Sequence, residues 1–498
     1  MRRRVRITSA ALIVLALPQA LSAETLREAL AKAYVNNPTL NAARAGQRAQ
    51  DEAVPIARAD GLPSVGGTVG YNENLVQTAG GVGPDRLLNT QAQVSVPLFA
   101  GGSVRNGIRS AEARVEAGQA QLRATESNVF TQVVAAYMDV LRDEAVVALN
   151  RNQVDVLSVN LQAARDRFDI GDITRTDVAQ SEARLALARA QLQGAEARLI
   201  SSREAYVRQV GDAPDNLQPP PPLTGLPTDP TQATELAVAN NPNLVAAQVA
   251  ARAAGLDVRV AEGARLPRVG VTTNAGYVNY LGSISAPPGV TVSNGGFTAG
   301  AGLSVSVPLF QAGRTAARIR QAQALEGRAL EDVIATERGV VAQARSAYAS
   351  WQASNAVIQS SQVAVDATRL GLEGVRAENS VGTRTIIEIL NAEQEFLNAQ
   401  VQLVTARRDA YVAGFALLAA IGRAEAPDLG IVDDTTRYDP RTNAARVRDI
   451  IWDWGRDPAP VTQSSSTRSV PPQGAQAPAT VGRATLRPTL LPPSTPGQ

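Results

Sequence analysis

Two short polar turns hold the residues that could do chemistry. One reads Thr174-Arg175-Thr176-Asp177 and the other Arg384-Thr385-Ile386-Ile387-Glu388. Each places a carboxylate three residues after a threonine, the spacing of a capping box at a helix start. Such a carboxylate can cap amide N–H groups. Where several copies face one lumen, it can also attract cations and repel anions. Both readings stay open on the residues alone. Other chemistries are closed. The 498-residue chain has no cysteine and no histidine. That removes thiol nucleophiles, imidazole acid–base pairs and the usual zinc sites. A carboxylate-only hydrolase would need a motif, and neither a Gly-rich phosphate loop nor a cluster of acids supplies one. No catalytic residue, metal or cofactor is expected.

The elements that must position these turns occur twice. Asn36-Asn37-Pro38 returns as Asn240-Asn241-Pro242, and Leu62-Pro63 as Leu266-Pro267, both 204 residues later. Ser95-Val96-Pro97-Leu98-Phe99 returns as Ser306-Val307-Pro308-Leu309-Phe310, 211 residues later. Tyr137 and Tyr348, Gly171 and Gly382, and Gly211 and Gly422 share that second offset, as do Asp177 and Glu388. The chain is a duplicated half-domain rather than a solenoid of short units. The seven extra residues fall between the two sets of marks, and length varies freely in loops.

Each repeat reads helix, strand, loop, strand, long helix, turn, helix. The first repeat spans 24–218, with a helix over about 25–60, strands at about 62–75 and 89–99, a long helix 102–168 and a helix 174–211. The second spans 231–425, with strands at about 266–281 and 297–310, a long helix 313–379 and a helix 385–422. Pro63, Pro97, Pro267 and Pro308 mark the passages between helix and strand, since proline disfavours the helical conformation in its predecessor. Val65, Val69 and Tyr71 share one parity, as do Ala92, Val94, Val96 and Leu98. Phe297, Ala299, Ala301, Leu303, Val305, Val307 and Leu309 do the same, against Thr298, Gly300, Gly302, Ser304 and Ser306. Such alternation over about 9–11 residues fits a membrane strand, and equally a half-buried strand of a soluble sheet. Four strands cannot close a barrel alone, and open edges are forbidden in lipid. Tyr71, Tyr277, Tyr280, Phe99, Phe297 and Phe310 lie near strand ends, where they suit an interfacial girdle or core packing. Each long helix would run roughly 100 Å. Ile389, Phe396, Leu403, Ala410 and Leu417 form a heptad row, flanked by rows from Leu390 and Ala392. Val178, Leu185, Leu192, Leu199 and Tyr206 mirror the first row. Sustained heptads mean knobs-into-holes packing, and so wide an arc suits a closed ring of helices.

Residues 1–23 have the order of a secretory signal peptide: basic start, short apolar run, small residues at Ser22-Ala23. Removing them takes away four arginines and no acid, so a formal +2 becomes −2. The basic pI is then no argument for nucleic acid, and no nucleic-acid partner is expected. Residues 219–230 form a proline-rich linker. Residues 426–457 form a C-terminal segment in which 440–454 read as a short helix ending in Trp452 and Trp454. Residues 458–498 are rich in Pro, Ser, Thr and Gln and read as disordered.

The duplicated unit, the Asn-Asn-Pro boxes, the Val-Pro-Leu-Phe segments and the turn Val381-Gly382-Thr383-Arg384-Thr385-Ile386-Ile387-Glu388 together resemble the TolC family of outer-membrane channel-tunnel proteins, over roughly 24–425. The resemblance implies a membrane α+β fold. In it a tandem-repeat protomer of a homotrimer contributes to a twelve-stranded transmembrane β-barrel, continuous with a long periplasmic α-helical barrel. It places the chain in the Gram-negative outer membrane, in contact with its lipid, with a periplasmic extension. The implied partners are a periplasmic membrane-fusion adaptor and an inner-membrane ABC or RND-type transporter. The implied function is an exit duct, first for type I protein secretion, with small-molecule efflux as the alternative. By the same resemblance Thr176, Asp177 and Arg384 are a periplasmic gate latch in which Asp177 pairs with Arg384. Glu388 and Asn391 are the pore constriction, and Gly171 and Gly382 are the turn glycines. Asn391 replaces a second acid and Asn379 a latching tyrosine, which implies a looser closure. The rival from a different class is a periplasmic coiled-coil protein with soluble hairpins, which needs no seven-residue apolar face.

Overall fold

The structure, a computed structural model, describes residues 24–76, 83–284, 290–432 and 437–476. The expected signal peptide and residues 477–498 of the expected tail lie outside those ranges. The helix expected over about 25–60 is three helices: α1 (Leu26–Asn36), α2 (Pro38–Asp51) and α3 (Ala53–Ala59). The first break falls at Asn37, which Pro38 holds extended at ψ 122°. The second repeat breaks likewise at Asn241, between α6 (Pro230–Asn240) and α7 (Pro242–Gly263). Strands β1 (Ser64–Glu73) and β2 (Arg86–Ala100) lead into α4 (Ser103–Asp169) and α5 (Arg175–Val210). Strands β3 (Arg268–Asn279) and β4 (Gly295–Ser306) lead into α8 (Arg314–Ser380) and α9 (Ile386–Ala420). A short α10 (Pro440–Val447) follows.

The Asn-Asn-Pro boxes explain themselves locally. Asn37 Oδ1 accepts from the amides of Thr39 and Leu40 at 2.9 and 3.2 Å, capping α2. Its Nδ2 donates to the Gln209 carbonyl at 2.9 Å, near the end of α5. Asn241 repeats this: Oδ1 accepts from the Asn243 amide at 3.0 Å and Nδ2 donates to the Ala420 carbonyl at 3.0 Å, at the end of α9. Each asparagine therefore starts one helix and ties down the end of another. Gly211 and Gly422 close those ends at φ +97° and +73°. A Cβ on Gly422 would lie 2.5 Å from the Asn240 carbonyl, so the box and the glycine are one joint. The core gathers around it: Leu30, Tyr34, Phe130, Tyr137, Tyr206 and Phe415 are all buried there.

Helix order and strand order agree. α3 packs on α4, α4 on α7 and α7 on α8. Each of these helices runs into one strand, and the antiparallel sheet has the order β1-β2-β3-β4. The joint between β2 and α4 is tight: a Cβ on Gly263 would sit 2.7 Å from the Gly101 carbonyl. The extra residues of the second repeat are shared out. β3 outruns β1, and the connection 280–294 outruns 74–85.

Register puts the apolar side chains on one face of all four strands. Val69, Thr90, Tyr277 and Phe297 form one cross-strand row. Val65, Val94, Thr273 and Ala301 form another, and Val96, Val271 and Leu303 a third. The opposite face carries rows such as Thr68, Gln91, Gly276 and Thr298. The apolar face is open: Val65 is 76% and Phe297 70% exposed. Of the aromatics near the strand ends, Tyr71, Phe99, Tyr277, Phe297 and Phe310 are exposed too, and Tyr280 is half-buried. Two details differ from expectation. The register shifts between Pro97 and Phe99, so Phe99 rather than Leu98 stands opposite Val269 on the apolar face. A bulge is where a central strand tolerates a residue without an N–H. β4 ends at Ser306, short of the expected 310, because its partner β3 begins at Arg268 opposite Ser306.

The lower helices pair as α4 with α5 and α8 with α9. The heptad residues Ile389, Leu403, Ala410 and Leu417 are buried, as are Leu185, Leu199 and Tyr206. α8 lies at the edge of the protomer, with Leu330, Val363 and Leu370 exposed. α10 ends at Val447, well before Trp452 and Trp454, which lie in the following turn. There Arg448 and Asp449 are drawn to Glu112 and Arg58. The expected disorder of the tail is corrected for 458–476. Ser465 N donates to Asn36 Oδ1 at 2.7 Å, Asn41 Nδ2 to Ser464 Oγ at 3.0 Å, and Gln473 N to Glu204 Oε1 at 3.2 Å. Composition overlooked these bonds because each partner lies far away in sequence.

Candidate functional site

The two polar turns close the ends of the paired helices. In both, a glycine in the left-handed region reverses the chain: Gly171 at φ +81° and Gly382 at φ +80°. The amides of Gly171 and Asp172 donate back to Phe168 and Arg167, and those of Gly382 and Thr383 to Asn379 and Glu378. This pattern satisfies the last carbonyls of a helix. The next helix then starts on its threonine. The Asp177 carboxylate accepts from the Thr174 amide at 2.9 Å and from its hydroxyl at 2.7 Å. These bonds hold the Asp177 carboxyl below its ordinary range. The cap is therefore complete above the ordinary carboxylate pKa and is lost only as pH falls through the depressed folded value. Glu388 does the same less tightly, accepting from the Thr385 amide at 3.4 Å.

The structure brings some of the expected site residues together and leaves others apart. Within one protomer Asp177 makes no ion pair with Arg384. Arg384 instead bridges α8 and α9, with Nε 2.6 Å from Glu378 Oε2 and Nη1 3.5 Å from Glu388 Oε2. Asn379 Nδ2 donates to the Arg384 carbonyl at 2.7 Å, so it braces the turn. Thr176 is exposed and its side chain has no hydrogen bond among the described residues. Asn391 Oδ1 accepts from Arg184 Nη2 at 2.6 Å, joining α9 to α5. Pro63 and Pro267 precede β1 and β3, Pro97 sits at the bulge in β2, and Pro308 follows β4.

One group of residues was missed. Glu393, only 2% exposed, takes hydrogen bonds from Asn160 of α4 and Arg376 of α8, both at 3.0 Å. It clasps three helices a little over one turn beyond Glu388 along α9. The signal was present: a charged residue stands amid the apolar rows of α9. Among the described residues no group of three or more acids could hold a metal ion, and no helix is long and apolar enough to cross a membrane. Within the protomer these side chains cap helix starts and pair α8 with α9.

The chain matches the pattern of the family described as outer membrane efflux protein over residues 29–211 and 233–423, one match in each repeat. It is 36% identical to the outer membrane efflux protein BepC of Brucella suis, over 86% of this chain and 92% of that protein. It is 28% identical to the outer membrane protein TolC of Vibrio cholerae, over 83% and 94%. The solved outer membrane protein VceC of Vibrio cholerae superposes with a TM-score of 0.67 at 22% identity, over 80% of this chain and 96% of that one.

Proposed function

Because the chain belongs to the outer membrane efflux protein family, and with it to the outer membrane, we propose that three copies form an exit duct. Their four-stranded sheets close into one twelve-stranded barrel, and their helices form the tunnel beneath. One observation carries this reading: β1 and β4 are unpaired edges of a sheet whose apolar face is continuous across every strand. Unpaired edges have no place in hydrocarbon. Further copies of the same chain satisfy them, and the apolar side chains left exposed on α8 are then covered as well. The expected readouts are SDS-resistant trimers and ion conductance in a planar bilayer. Well-folded trimers that never conduct would overturn the duct.

The duct works with a periplasmic adaptor and an inner-membrane transporter. Its barrel lumen is lined by small uncharged residues such as Thr68, Gln93, Thr272 and Ser304, which select little. The 36% relative is named an efflux protein, and this moves small-molecule efflux ahead of the protein secretion that the sequence favoured. A deletion strain is expected to become sensitive to toxic compounds with an unchanged set of secreted proteins. Loss of one or a few secreted proteins, restored by complementation, would assign the duct to type I secretion instead.

The tip is the periplasmic gate, and in the trimer Thr176, Asp177 and Arg384 meet the neighbouring protomer. Arg384→Ala removes the bridge between α8 and α9 and is expected to raise channel conductance. Glu388→Ala is expected to lower the preference for cations, since three carboxylates then leave the constriction. Bilayer recordings of both variants with reversal potentials check this. Unchanged conductance and selectivity in both would reduce these residues to helix caps.

A further inference from the structure

One apolar surface exposed on the protomer lies away from both the strands and the polar turns. After α10 the segment Asp449-Ile450-Ile451-Trp452-Asp453-Trp454-Gly455-Arg456 turns outward. Trp452 is 71% and Trp454 85% exposed, with Ile450 and Ile451 exposed beside them. The chain has three tryptophans, and the third, Trp351, packs edge-on against Tyr348 in the core. Large apolar side chains gathered in one exposed turn mark a contact surface.

Position and charge indicate the occupant. Arg58 holds this segment by the Arg448 carbonyl at 2.5 Å and the Asp449 carboxylate at 2.6 Å. Arg58 lies at the end of α3, directly before the approach to β1. Arg448 also reaches Glu112 at 3.5 Å, which stands about 14 Å along α4 from its first residue. Glu112 closes a groove of about 600 Å³ whose far wall is Leu98 and Phe99 at the foot of β2. Phe99 pairs with Val269 on the apolar face. The root of the tryptophan turn, at Arg448 and Asp449, is therefore tied to the upper end of α4 and of α3, next to the groove that Phe99 of the apolar face lines. The surroundings are basic on balance. Arg105 and Arg109 in the groove, and Arg456 after Trp454, have no ion-pair partner among the described residues, against Asp453 within the turn and Asp60 beside the groove.

We propose that the segment 450–454 is a peripheral membrane anchor. The two indoles and the isoleucines enter the periplasmic leaflet of the outer membrane at headgroup depth, and Arg105, Arg109 and Arg456 meet anionic phospholipid phosphates. Indole rings favour that depth because one edge is polar and the body apolar. Basic side chains near an anionic leaflet add attraction. The anchor fixes the height of the tunnel below the bilayer, a task the barrel performs from one end only. It rests on the sheet being the membrane-spanning part.

The test uses full-length trimers in vesicles of phosphatidylethanolamine and phosphatidylglycerol, with or without bromine near the carbonyl end of the acyl chains. Conductance of the same preparation reports insertion. Two of the three indoles should be within reach, so bromine is expected to remove roughly half or more of the tryptophan emission. In W452F/W454F the remaining Trp351 should be unquenched while conductance persists. Conducting trimers whose emission ignores the bromine would overturn the anchor. Emission already shifted to the blue in detergent, and still ignoring bromine in vesicles, would overturn it in favour of burial against the neighbouring protomer. Trimers that neither insert nor conduct would overturn the duct reading first, and the anchor with it.

Discussion

Asn37→Ala and Asn241→Ala are each expected to destabilise the protomer by about 2–4 kcal/mol, with the double variant close to the sum. Two losses combine at each position. The first is the helix cap, worth about 1 kcal/mol. The second is the half-buried carbonyl of Gln209 or the buried one of Ala420, which loses its donor at a cost of about 1–3 kcal/mol. Water cannot easily replace the amide, since Asn37 is 2% and Asn241 3% exposed. The two joints lie in different repeats and share no partner, which is the condition for additivity. The measurement is the temperature at which SDS-resistant trimers fall to monomers, followed alongside loss of helical circular dichroism. Asn37→Ser separates the two losses, because a serine oxygen can still cap α2 but cannot reach Gln209. It should fall between wild type and alanine. An Asn37→Ala trimer as heat-resistant as wild type would mean the box is decorative.

The same joints show what the sequence made legible. The Asn-Asn-Pro boxes, the glycines and the two offsets announced a duplication, and prolines and period changes located strands and long helices. Local physics wrote those signals. What stayed hidden depends on which distant residues meet. The gate expectation paired Asp177 with Arg384, yet within a protomer each is satisfied inside its own hairpin, by Thr174 and by Glu378 and Glu388. Spacing could reveal the capping boxes, being a property of four consecutive residues. It could not reveal the clasp, whose members Asn160, Arg376 and Glu393 come from three helices. The tail was misread for the same reason: its Ser465 finds Asn36, hundreds of positions away.

Glu393→Ala is expected to open the gate more than Arg384→Ala does. Arg384 and its partners stand in solvent, where screening weakens any ion pair and competing water shortens its life. Glu393 is buried and its carboxylate is shared between two helices other than its own. Removing it strands the Asn160 amide and one face of the Arg376 guanidinium. A fully buried pair broken in this way would cost about 3–5 kcal/mol. Arg376 is 49% exposed and can turn to water, so about 1–3 kcal/mol per protomer is the expected loss. That loss falls on the packing of α4, α8 and α9 close to Glu388, so it loosens the helices that would move apart in the proposed gate. In single-channel recordings the alanine variant should show a larger or longer-lived open state. The effect should persist at high salt, whereas that of Arg384→Ala should fade as salt already weakens the wild-type bridge. Glu393→Gln, which still accepts both hydrogen bonds without the charge, should lie between. Folded Glu393→Ala trimers with wild-type conductance would show that the clasp stabilises the tip without governing its closure.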